Sequence, residues 1–237
     1  MTWQSTPWAE PLLAVTVVSG SLAVFGLLYV TLVRRNRRVA AYAALMIGAA
    51  VWTLGYSFQF ASATLAGRLR WATVAMAGEV VVPAACFTFA LAYARRDRWL
   101  ERDRLALLWV VPVATLVLVV TNDVHGLVRS GAALAGAPDG SYLILDRSGG
   151  PWLSVYGAYS YLAALGGIFV VVGLLGRSRH VYRGQALVLL AGIMVTVAAH
   201  LVSFRGIGPT GVVDLTPPSL AVLGVAFAVG IFRYRLL

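Results

Sequence analysis

Two titratable side chains sit where a helix crossing hydrocarbon would bury them. They are Glu79, inside WATVAMAGEVVVPAACFTFALAYA at 71–94, and His200, inside the apolar run 185–204. An ionisable group at such depth is costly, faces the protein interior, and marks a ligand or switch site by default. Glu79 falls about eight residues after Trp71, roughly 12 Å along a helix. Pro83 follows four residues later and has no N–H to return to the Glu79 carbonyl, so the sequence predicts a free acceptor and a flexible point on one turn.

Three sets of side chains, the last including His200, each line one face of a predicted helix. Trp52, Tyr56, Gln59 and Ser62 recur at spacings of four and three, as do Trp152, Tyr156 and Tyr159, with Ser160 beside them, and Thr196, His200 and Ser203. Asp214 opens DLTPP, in which Pro217 and Pro218 suit a first helical turn that needs no N–H donors. The candidate ligand-binding set is therefore Glu79, His200, Tyr56, Gln59, Tyr156, Tyr159, Asp214 and Arg205, with Pro83 and Pro217 as candidate hinges. His200 or Arg205 is the expected partner for a charge on Glu79.

Other chemistry finds little support. His125 alone is weak material for a metal centre, and neither a G-x-S-x-G nucleophile nor an H-E-x-x-H pair is present. The lone Cys86 has no internal disulfide partner and suits a buried structural position. All 19 basic residues are arginine, so no lysine is available for a retinal Schiff base. No cofactor or metal is expected, and the chain is expected not to be an enzyme.

The elements that must position these residues follow from composition. With 60% apolar and 12% charged residues, the chain has the makeup of a polytopic membrane protein. Apolar stretches at about 11–33, 39–61, 71–94, 105–121, 151–175, 185–204 and 215–232 each approach the roughly 20 residues that cross a bilayer. The fold class is all-α, a seven-transmembrane helix bundle forming a single domain over 1–237; no alternating pattern suggests a barrel. The net charge of +10 resides at helix ends, which points to topology and away from nucleic acid. Fourteen arginines follow spans 1, 3, 5 and 7 and five lie on the other side, so the N-terminus is predicted outside and the C-terminus in the cytoplasm. No signal peptide is expected, because residues 1–10 carry no basic residue and span 1 runs into a stop-transfer cluster. In the outer loop 122–150, the P-D-G turn at 138–140 and the run Tyr142 to Leu145 predict one arm of a hairpin able to cover the outer mouth. With alternating direction, the candidate set collects in the outer half and the inner half is apolar with an arginine edge. That pattern suits an outward-opening pocket better than a continuous water path.

GPWLSVYGAYSYL, RGQALVLLAG, TNDVHGLV and above all DLTPPSLAVLGVAFAVGIFRYRLL give the chain a resemblance, over about residues 10–237, to the N-terminal seven-helix region of membrane sensor histidine kinases. The resemblance implies a signal-input domain in the cell membrane, acting on a cytoplasmic histidine kinase or PAS module, and implies a homodimer. It carries over no ligand residues. The sequence has no phosphoacceptor-histidine helix and no glycine-rich ATP-binding segment, and His180 in RSRHVYR reads as an inner-loop residue. The expected function is a sensor in the lipid bilayer: an unknown small or membrane-soluble ligand enters the outer half, and a helix movement reaches the cytoplasmic end. The alternative is a small-molecule transporter or channel, against which stand the lack of an inverted repeat and of polar residues in the inner half.

Overall fold

The computed structural model of the chain describes residues 2–6, 9–32, 37–136, 142–175, 180–204 and 214–232. The helices are α1 (Ala9–Leu32), α2 (Arg37–Ala61), α3 (Leu65–Glu79), α4 (Val81–Tyr93), α5 (Arg102–Val120), the single turn α6 (Asn122–His125), α7 (Trp152–Leu175), α8 (His180–Phe204) and α9 (Thr216–Phe232). A 3-10 turn, Asp97–Leu100, joins α4 to α5. Between α6 and α7 lie β1 (Arg129–Gly136) and β2 (Leu143–Gly149).

Five described segments are long and apolar enough to cross a membrane: Val39–Ala61, Leu65–Tyr93, Arg102–Val120, Trp152–Leu174 and Ala186–Ser203. The shorter apolar helices Leu13–Leu22 and Thr216–Ala228 fall where the first and seventh spans are predicted. The third span begins at Leu65, earlier than the Trp71 predicted from hydropathy. The cause is local: the Thr64 side chain accepts the Gly67 N–H at 3.2 Å, capping a helix that takes in Arg68 and Arg70. This span is also two helices, interrupted at Val80, inside the turn that a hydrogen bond from residue 83 to the Glu79 carbonyl would have closed.

The helix α2 packs against α1, α3, α4 and α9. It meets α3 almost backbone to backbone. A Cβ on Gly55 would strike the Ala75 backbone, and one on Gly78 would strike the backbone of Trp52 and Gly48. Small residues allow this approach, which gains dispersion contacts that lipid cannot compete away. Toward the arginine-rich helix ends the interior is apolar: Tyr42, Leu45, Met46, Phe89, Leu189, Leu223 and Phe227 are fully buried. Phe89 and Phe227 stack with centroids 4.4 Å apart, tying α4 to α9. Gly166 of α7 faces the Phe87 ring and lets α7 close on α4. The outward faces of α5 and α7 expose Leu107, Val113, Val117, Leu162, Leu165 and Phe169, as helices bordering hydrocarbon do.

At the opposite end β1 and β2 form the antiparallel hairpin, in register from Gly136↔Leu143 to Arg129↔Gly149 with an irregularity between Arg129 and Gly131. The predicted arm at 142–145 is thus the start of β2. Asn122 holds the hairpin's base. Its Oδ1 accepts from the N–H of Val128 at 3.0 Å and of Arg129 at 2.9 Å, while Nδ2 donates to the Arg129 carbonyl at 3.0 Å. Gly126, at φ 64°, turns the chain from α6 into this base.

Candidate functional site

One face of α7 carries the donors that organise the hairpin-side half. Trp152 Nε1 donates to Thr115 Oγ1 of α5 at 2.9 Å, one turn above Tyr156, whose hydroxyl donates to the Glu79 carbonyl at 3.2 Å. Tyr159 Oη then donates to the Leu108 carbonyl of α5 at 2.9 Å. The acceptors share an origin. Pro83 lies four residues after Glu79 and Pro112 four residues after Leu108, so each tyrosine fills a carbonyl whose helical donor a proline has removed. The free Glu79 acceptor predicted from sequence is present and occupied. The equivalent vacancy at Leu108 follows from Pro112 by the same reasoning and was not anticipated.

Glu79 ends α3 at the middle of the Leu65–Tyr93 run, roughly 21 Å along the helix from Leu65. Measured down α7 it is shallower, since Tyr156 lies only about 6 Å of helical rise below Trp152. The first turns of α3 therefore project past the end of α7 to meet the hairpin. The Glu79 carboxyl makes no hydrogen bond or ion pair among the described residues, where the single ion pair is Asp123–Arg129 at 3.8 Å. His200 is not its partner. Arg205 lies outside the described residues.

His200 joins a second cluster, which fixes the start of α9. Asp214 Oδ1 accepts from the Thr216 N–H at 2.8 Å and from Thr216 Oγ1 at 2.6 Å, capping the first turn ahead of Pro217 and Pro218. The Asp214 N–H donates to Tyr56 Oη at 2.6 Å, and the Leu215 N–H to Ser203 Oγ at 2.8 Å. His200 Nδ1 lies 3.3 Å from Thr216 Oγ1, with its ring edge-on to Tyr161 at 5.6 Å. Trp52, Tyr56, Gln59 and Ser62 are all buried, as their common face predicts, and Gln59 makes no hydrogen bond among the described residues. Pro217 stands in a capped first turn of α9.

The structure thus brings the candidates into two groups: Glu79 with Tyr156 and Tyr159 along α7, and Tyr56 with His200 and Asp214 at the head of α9. Sequence reasoning missed Arg68, Gln4, Thr115 and Asn122. Arg68 was counted with the topology arginines, yet its side chain is 1% exposed and its Nη2 donates to the Leu143 carbonyl at 2.7 Å. No group of three or more His, Cys, Asp or Glu suited to a metal occurs among the described residues.

A helical bundle with five described spans long and apolar enough to cross a bilayer, and with polar groups gathered at its hairpin end, is the build of a membrane protein. The chain belongs to the family described as the N-terminal 7TM region of histidine kinase, whose family model matches residues 11–237. Comparison with curated proteins returns no match.

Proposed function

We propose that the chain is one seven-helix domain over 1–237, with its N-terminus outside and its C-terminus cytoplasmic, that takes a small or membrane-soluble ligand in its outer half and passes a helix movement to a cytoplasmic kinase or PAS module. Membership of a histidine-kinase input family supports the sensor class. The observation that carries the rest is the pair of tyrosine hydroxyls on α7, each seated in a carbonyl that a proline has freed. Such a joint has two states: the carbonyl takes the tyrosine or takes a competing donor. A ligand that donates there, or to the Glu79 carboxyl, binds one helix arrangement better than the other and shifts the balance by that difference in affinity.

Movement of α7 alters its packing on α4 and α8, and α8 packs along α9. The α9 helix, capped by Asp214 and held by Tyr56, runs to the arginine-rich end, where an output module would read it. A homodimer fits this route, and the chain itself performs no catalysis. The test is a ligand-induced thermal-stabilisation screen on purified protein, with Glu79→Gln, His200→Ala and wild type compared for every hit. Loss of binding in either variant supports the pocket; equal binding in both overturns it. Solute flux into liposomes by the purified chain would favour a transporter instead.

A further inference from the structure

Six buried side-chain atoms lack a hydrogen-bond partner in the described structure, and four belong to the region where the N-terminal segment and the hairpin meet α2 and α3: Thr6 Oγ1, Ser62 Oγ, Arg68 Nε and Trp71 Nε1. Arg68 is the informative member. It heads the fully buried side chains by volume, at 1% exposure, and no carboxylate pairs with it among the described residues. Its Nη2 reaches two carbonyls, Leu143 at 2.7 Å and Phe60 at 3.4 Å. A guanidinium carries five N–H donors, and carbonyl dipoles leave its charge uncompensated. Removing a full charge from water is unfavourable unless an opposite charge joins it.

The surroundings suit an oxyanion. Ser62 Oγ stands 3.1 Å from where a Cβ would lie on Gly67, the residue that precedes Arg68 in α3. Trp71 follows one turn along α3, with its ring stacked on Phe58 at 4.6 Å. The group is closed by one residue of the hairpin. Gln4 Nε2 donates to the Leu143 carbonyl at 3.0 Å and Gln4 Oε1 accepts the Leu143 N–H at 3.0 Å, so the start of β2 is strapped over Arg68 by three side-chain bonds.

We propose that Arg68, with Ser62 and Trp71, forms a site for one phosphate or carboxylate group, admitted when Leu143 lifts from Gln4 and Arg68. The forked, permanently charged guanidinium recognises such a group through paired N–H bonds. The Ser62 hydroxyl and Trp71 indole N–H supply the flanking donors. The group arrives either as a soluble anion or as the headgroup of a lipid, because the site lies at a helix end.

The test uses the full chain in maltoside micelles, which contain no phosphate. Thermal unfolding is followed against inorganic phosphate at constant ionic strength and, separately, against added phosphatidylglycerol. A saturable rise in the wild-type midpoint is expected with at least one probe; a response to phosphate assigns a soluble anion and a response to phosphatidylglycerol alone assigns a headgroup. Arg68→Gln is expected to weaken the apparent affinity about 10- to 100-fold, and Arg68→Lys less. No wild-type response to either probe, or the same response in Arg68→Gln, overturns the site. Asp139 lies outside the described residues; if the wild type is unresponsive and Asp139→Asn matches the stability loss of Arg68→Gln, the anion is the protein's own and the proposal falls. Should Arg68→Gln fail to fold, Ser62→Ala and Trp71→Phe decide. A several-fold loss of affinity in either supports the site, and unchanged affinity in both refutes it.

Discussion

The contact between Tyr159 and the Leu108 carbonyl gives the sharpest test of how this bundle is held. Tyr159→Phe removes only the hydroxyl and leaves the ring packed. The bond is 2.9 Å long, and Pro112, lying within an otherwise continuous α5, cannot supply a replacement donor. A net interhelical hydrogen bond in a membrane averages about 0.6 kcal/mol with a ceiling near about 1.7, while stranding a buried acceptor costs about 1–3 kcal/mol. The expected loss is about 1–1.5 kcal/mol, a fall of about 2–6 °C for a chain of this size. The discriminating step is the background. Pro112→Ala returns an N–H to the Leu108 carbonyl, so Tyr159→Phe should cost little there, with a coupling of about 1 kcal/mol across the cycle. Unfolding of all four proteins in mixed micelles measures it. If Tyr159→Phe costs the same in both backgrounds to within about 0.3 kcal/mol, the tyrosine is not compensating for the proline.

The same cycle on Tyr156 and Pro83 should show coupling of the same sign but smaller, about 0.5 kcal/mol, because that bond is 3.2 Å long. Gly78→Leu should destabilise by more than about 3 kcal/mol, since its Cβ would meet the backbone of α2 and no rotamer relieves that clash; folded yield and thermal midpoint report it. Asn122→Ala removes three hydrogen bonds at the base of the hairpin and should raise amide exchange across 127–150 while leaving α2 protected. Asp214→Ala should cost about 1 kcal/mol through loss of the α9 cap, and Asp214→Asn, which can still accept from Thr216, less; chemical unfolding in micelles separates the two.

Much of the architecture was legible because lipid enforces simple rules. Apolar length located the helices, and four-and-three spacing gathered Trp52, Tyr56 and Gln59 on a face that is indeed buried. The free Glu79 carbonyl was legible from Pro83 alone, because a missing N–H is a covalent fact. What supplied the replacement donor was not: Tyr156 lies 77 residues away, and a helical face predicts direction but not register against a neighbour. Arg68 was obscured by its own charge. An arginine near a helix end reads as an anchor in solvent, and only the Thr64 cap and the fold of the hairpin over Leu143 bury it. The predicted partnership of His200 with Glu79 does not form; His200 lies instead 3.3 Å from the Thr216 hydroxyl at the head of α9.

The glycine seam between α2 and α3 limits how this molecule can deform. Where two main chains touch with no side chain between them, neither can twist or slide without collision, so the two helices behave mechanically as one beam. The hydroxyl-mediated contacts of α7 with α3 and α5 impose no such lock, because a hydrogen bond can be exchanged where a backbone clash cannot be relieved.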